Sequence, residues 1–130
     1  MGEVKTDAGP IKVMAVDDSP VARKMIRKAL EPHGFLVVGE AGNGKEALEL
    51  YSRLQPDIVT MDITMPVMDG LQAAARIKEI NPQQKIIMLS AMGDEDLLNE
   101  ARAMGIKDFC AKPFKAEQLL EKVRLLLEKK

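Results

Sequence analysis

Five short apolar runs, set apart by segments of helical period, leave this chain few architectures. The runs are Ile11–Val16, Phe35–Ala41, Ile58–Met61, Ile86–Leu89 and Phe109–Ala111. They are nearly continuous in apolar character, without in/out alternation. A strand covered on both faces of a parallel sheet has that pattern, whereas a strand with one wet face alternates. The segments between them carry helix-start signals. Ser19 stands as an N-cap before Pro20, and proline is suited to the first helical position. Asn43 with Glu46, and Asp69 with Gln72, have capping-box spacing. Two further helices are expected after Gly93 and after Lys115, although Lys115 is a poor N-cap. Pro56, Pro82 and Pro113 sit beside the proposed strands, where turns are needed. Five strand–helix pairs with right-handed crossovers predict an α/β fold, a doubly wound five-stranded parallel sheet with five helices. Residues 1–10 (MGEVKTDAGP) read as a flexible N-terminal tail, which leaves 11–130 as the domain.

Composition narrows the partners. The 130 residues suffice for one domain, and 46% are apolar against 30% charged, an ordinary globular mix. The formal net charge is −1, so no basic excess is available to bind nucleic acid. No apolar run approaches the roughly 20 residues that span a bilayer, and no signal peptide is evident. The single cysteine, Cys110, cannot form an internal disulfide, in keeping with a reducing cytoplasm. A small soluble cytoplasmic domain is expected.

In open parallel sheets ligands bind at the carboxyl ends of the strands. The residues just past the apolar runs are Asp17 and Asp18, then Asp62, Ser90 and Lys112. Four strands would thus bring three carboxylates, a hydroxyl and an ammonium to one rim. Three ionised carboxylates repel one another, and Lys112 alone does not balance them. Hard oxygen ligands without a nearby histidine or thiolate favour Mg²⁺ over zinc. A carboxylate beside a metal and a lysine can attack phosphorus to give an acyl phosphate. Ser90 would then hydrogen-bond the transferred group, and Lys112 would neutralise its charge.

The strings VDDS (16–19), MDITMPVMDG (61–70), SAMG (90–93) and KPF (112–114) resemble receiver domains of two-component response regulators. The likeness runs from Ile11 to the last helix. It implies a flavodoxin-like sheet with strand order 2-1-3-4-5. It also implies that Asp62 is the phosphoacceptor, supplied by the phosphohistidine of a sensor kinase. Asp17, Asp18, Asp62 and the backbone carbonyl of Thr64 would hold Mg²⁺, and Ser90 and Lys112 would bind the phosphoryl group. The Lys112–Pro113 bond would be cis. Ser90 and Phe109 would be the switch pair: on phosphorylation Ser90 moves toward Asp62 and Phe109 turns inward. The face formed by the fourth helix, fifth strand and fifth helix would then bind an output protein. Phe109 stands where many chemotaxis-type receivers carry tyrosine, so it keeps the packing change and lacks the hydroxyl. Thr64 and Met92, each two residues beyond a site residue, flank the expected water path.

The resemblance is to stand-alone, chemotaxis-type receivers, which implies a flagellar motor switch as target. The sequence ends at Lys130, soon after the last helix, so output is expected through protein–protein binding by a monomer or weak dimer. Such a protein is not an enzyme on other substrates; it catalyses only its own phosphoryl transfer and dephosphorylation. A phosphorelay intermediate that passes phosphate to a histidine phosphotransfer domain is the alternative. A Mg²⁺-dependent phosphatase with an aspartate nucleophile is disfavoured, because Asp62-Ile63-Thr64 lacks the second acid of D-x-D-x-T. Nucleotide binding is disfavoured too. Gly39-x₄-Gly44-Lys45 is followed by Glu46 instead of Ser or Thr, and Gly42-x-Gly44-x-x-Ala47 is explained by the Asn43–Glu46 cap. Met14, Met25, Met61, Met88 and Met104 read as core filling. Arg23, Lys24, Arg27 and Lys28 read as a solvated basic stripe on the first helix, or as a docking surface for the kinase. His33 reads as a loop residue.

Overall fold

The computed structural model describes residues 5, 6 and 9–128. Five parallel strands form one sheet: β1 (Lys12–Val16), β2 (Leu36–Ala41), β3 (Ile58–Asp62), β4 (Lys85–Ser90) and β5 (Phe109–Ala111). Their spatial order is β2-β1-β3-β4-β5, the expected 2-1-3-4-5. Helices α1 (Pro20–Leu30), α2 (Gly44–Leu54), α3 (Gly70–Ile80), α4 (Glu95–Ala103) and α5 (Ala116–Glu128) follow the strands in turn. A 3₁₀ turn over Glu31–His33 takes in His33. Within the stretch read as a tail, Lys5–Thr6 pairs antiparallel with Gly9–Pro10.

The uninterrupted apolar runs are explained by two cores, one on each face. Val13, Ala15, Ile58, Ile87 and Leu89 pack with Ile26 and Leu30 of α1 and Leu119 and Val123 of α5. The intervening residues Met14, Val16, Val59, Met61, Ile86 and Met88 pack with Ala47 and Tyr51 of α2, Ala74 and Ile77 of α3, and Ala101 of α4. Both pleat faces are dry, so no polar residue is required at every second position. Met14, Met61 and Met88 are fully buried, as expected; Met25 is instead exposed on α1.

The edge strand β2 breaks the alternation. Val13 pairs with Val37, but Met14 pairs with Gly39, so Val38 is the extra residue of a bulge. A one-residue shift exchanges the faces of everything beyond it. Val37 therefore joins the α1/α5 core and Ala41 the opposite one, although they are four positions apart and would share a face in a regular strand. Glu40, opposite Ala15, is turned to the side of α1.

The helix starts follow the capping signals, with two changes. Ser19 accepts from the Ala22 N–H at 3.2 Å ahead of Pro20. Asp69 and Gln72 form a complete capping box. At α2, Asn43 accepts from the Glu46 N–H, while Glu46 turns back to the Gly42 N–H instead of that of Asn43. At α5, Gln118 accepts from the Lys115 N–H at 2.8 Å, so the returning side chain supplies the cap that Lys115 lacks.

Candidate functional site

The carboxyl ends of β1, β3, β4 and β5 meet at one rim. Met61 pairs with Val16, so one residue further along the two strands Asp17 stands beside Asp62, the last residue of β3. Asp17 is fully buried and held at every polar atom. Its N–H donates to the Ala41 carbonyl at 3.0 Å, and its Oδ1 accepts from the Ser19 N–H at 2.9 Å. Its Oδ2 accepts from Lys112 Nζ at 2.6 Å, and its carbonyl accepts from Arg23 Nη1 at 2.5 Å. Asp18, the next residue, is exposed. One carboxylate oxygen from each of Asp17, Asp18 and Asp62 lies within 4.8 Å of the others.

Lys112 reaches this cluster from the far edge of the sheet. Its Nζ lies 3.3 Å from Asp62 Oδ1, and its N–H donates to the Ser90 carbonyl at 2.7 Å. Ser90 ends β4 and is buried at the rim. The Lys112–Pro113 peptide is cis. Gly70, the first residue of α3, packs directly against the end of β3. A Cβ there would stand 2.0 Å from the Asp62 carbonyl oxygen, so only glycine lets the helix start so close to the strand end.

Charge is unbalanced at this rim. Burial raises the Asp62 carboxyl from 3.8 to about 6; the charge of Asp17 pushes the same way, and Lys112 opposes both. Burial lowers the Lys112 ammonium, but its hydrogen bond to Asp17 and the charge of Asp62 outweigh that and leave it raised. One ammonium faces three acids. Such a set of hard oxygens with an excess of negative charge fits Mg²⁺.

The other expected residues fall around this cluster. Thr64 is exposed in the loop after β3, and Met92 is 97% exposed beyond β4. Phe109 is half-buried at the start of β5, with the Arg102 guanidinium 5.0 Å from its ring centroid. In the glycine-rich stretch, three of the N–H groups that a phosphate loop would offer are already engaged. The Gly42 N–H is taken by Glu46, the Gly44 N–H by Met68 and the Glu46 N–H by Asn43.

The basic stripe on α1 is not simply solvated. Arg23 Nε donates to Glu40 Oε1 at 2.8 Å, Arg27 donates to Glu40 Oε2, and Arg27 Nη1 reaches Glu31 at 2.6 Å. The Arg27 guanidinium holds the Glu40 carboxyl below its usual range, against the effect of burial and with help from Arg23. Sequence reasoning passed over Glu40 because it sits inside an apolar run. Its only signal was a charged residue in a strand opposite arginines spaced i, i+4.

A family profile described as the response regulator receiver domain matches residues 13–124. The chain belongs to that family. Receiver domains of this kind are switch domains that bind Mg²⁺ at an acidic pocket, and they serve two-component signalling. Among curated relatives, the chemotaxis protein CheY of Bacillus subtilis is 47% identical over 116 residues, 89% of this chain and 97% of that protein. CheY of Thermotoga maritima is 47% identical over 110 residues, 85% of this chain and 92% of that protein. Among solved structures, the CheX–CheY–BeF₃–Mg²⁺ complex of Borrelia burgdorferi superposes with a TM-score of 0.87 at 35% identity, covering 93% of this chain and 92% of that one. The receiver is thus of the CheY-like type. Among the described residues no helix is long and apolar enough to cross a membrane.

Proposed function

We propose that this receiver is a phosphorylation-controlled switch for chemotaxis, charged at Asp62 by a sensor histidine kinase. The observation that carries the reading is the convergence of Asp17, Asp18 and Asp62 with the Lys112 ammonium on one strand-end rim. Asp17, Asp18, Asp62 and the carbonyl of Thr64 would hold the metal. Bound there, Mg²⁺ offsets the charge that would otherwise keep an anionic phosphoryl group away.

A carboxylate oxygen of Asp62 attacks phosphorus as the N–P bond of the donor phosphohistidine breaks. The electron pair of that bond leaves with the imidazole, which takes up a proton, and an acyl phosphate remains on Asp62. Lys112 sits within ion-pair distance of Asp62 and bears on the transferred oxygens. The Ser90 hydroxyl donates to one of them. Phe109 then leaves its place under Arg102 and turns inward, and the surface of α4, β5 and α5 changes for an output protein. Water returns the site to its resting state by attack on phosphorus, along a path flanked by Thr64 and Met92. The Borrelia relative, seen with Mg²⁺, BeF₃ and CheX, supports both the metal and a protein partner. A flagellar motor component is the partner this reading expects.

Acetyl phosphate with Mg²⁺ provides the test. Wild type should take up one base-labile phosphoryl group, and Asp62→Asn should lose it essentially completely. Undiminished labelling of the variant overturns the assignment. A pull-down with phosphorylated and unphosphorylated protein then separates a motor component from a histidine phosphotransfer domain as partner.

A further inference from the structure

The peptide between Asp17 and Asp18 is gripped from outside the acidic cluster. Its carbonyl, that of Asp17, accepts from Arg23 Nη1 at 2.5 Å. The same guanidinium is anchored through Nε to Glu40 Oε1 at 2.8 Å, and Arg27 holds the other Glu40 oxygen. Arg23 is mostly covered, with 18% of its side chain exposed, so it has little room to lie elsewhere. Glu40 can take part only because of the bulge at Val38, opposite the Val13–Met14 step, which turns it toward α1. Without that extra residue the strand would present Glu40 to the opposite core.

The plane of a peptide fixes the direction in which the next residue sets out. Asp17 is also pinned through its N–H and both carboxylate oxygens, whereas exposed Asp18 depends on that plane for its aim. We infer that Arg23, braced by Glu40, is a positioning residue that points the Asp18 carboxylate at the metal held by Asp17 and Asp62. The inference rests on the Mg²⁺ reading above and adds to it a strut outside the ligand set. Groups that orient metal ligands in this way commonly carry a 10–100-fold share of affinity.

Electrostatics alone makes the opposite forecast for Arg23, which gives the test its sign. Removing a cation near a cation site should tighten Mg²⁺; removing a strut should weaken it. Calorimetric titration of Mg²⁺ into Arg23→Ala should give a dissociation constant about tenfold above wild type. Glu40→Gln, which keeps an oxygen acceptor, should give a smaller rise. Arg23→Lys keeps the charge without the fork, and should fall between Arg23→Ala and wild type; it also serves if the alanine variant does not fold. With acetyl phosphate, the half-saturating Mg²⁺ concentration should rise by more than the plateau rate falls. Unchanged or tighter Mg²⁺ binding in a cooperatively folding Arg23 variant overturns the strut and leaves the metal site standing. Absence of saturable Mg²⁺ binding in wild type overturns both.

Discussion

At neutral pH Asp62 is ionised in a place that disfavours the charge. Its carboxyl titrates near 6 because it is buried and faces Asp17. The folded protein therefore holds this proton more tightly than the unfolded chain does. The stability gained from it is complete below about pH 4, where even an unfolded carboxyl is protonated, and is lost as pH rises through about 6. The loss is on the order of 3 kcal/mol. Metal-free Asp62→Asn should accordingly be more stable than wild type at pH 7, with the difference shrinking toward pH 4. Denaturant midpoints at several pH values measure it, and a difference independent of pH would contradict an origin in this carboxyl. The residues of this cluster were legible in the sequence, since strand ends of a parallel sheet converge wherever the strands are recognised. Glu40 was not. Its direction depends on a bulge that no residue type in the run Phe35–Ala41 announces, and the arginines it holds looked like any solvated stripe.

Among the elements, the β3–α3 loop carries local strain. Val67 has φ +69° and is 79% exposed, and the Met68 N–H donates to the Pro66 carbonyl at 2.8 Å across it. A β-branched residue in the left-handed region costs about 1–3 kcal/mol, and no burial of Val67 offsets it. Glycine accepts that φ freely, at about 0.5–1 kcal/mol of unfolded-state entropy. Val67→Gly should therefore stabilise the protein by about 1 kcal/mol, seen as a higher unfolding midpoint. The capping signals at Ser19, Asn43 and Asp69 marked the starts of three helices because the acceptor precedes the helix it caps. The start of α5 was obscure for the converse reason. Its cap comes from Gln118, inside the helix, and a glutamine there has many other uses.

For the molecule as a whole, architecture and charge are decoupled. The net charge is only −1, yet three acids share one rim of a sheet that is otherwise dry on both faces. The fold thus tolerates a local repulsion that a cation bound there would relieve. A ligand bound only by the folded state stabilises it by about 2.7 kcal/mol at 100 times its dissociation constant. Mg²⁺ at that level should raise the unfolding free energy of wild type by this amount and that of Asp17→Asn by much less. Equal gains in the two proteins would place the ion elsewhere. A covered parallel sheet with a core on each face could be anticipated because five nearly continuous apolar runs admit little else, whereas the strand order came only with the resemblance to receiver domains.

The Lys112–Asp17 contact joins residues 95 positions apart. Asp17 leaves the ribosome early and its ammonium partner late, with β2, β3 and β4 laid down between them. A half-made chain, or one whose last strand has come away, has acids at the rim and no amine to meet them. The pairing of Lys112 with Asp17 therefore forms only once the last strand of the sheet is in place.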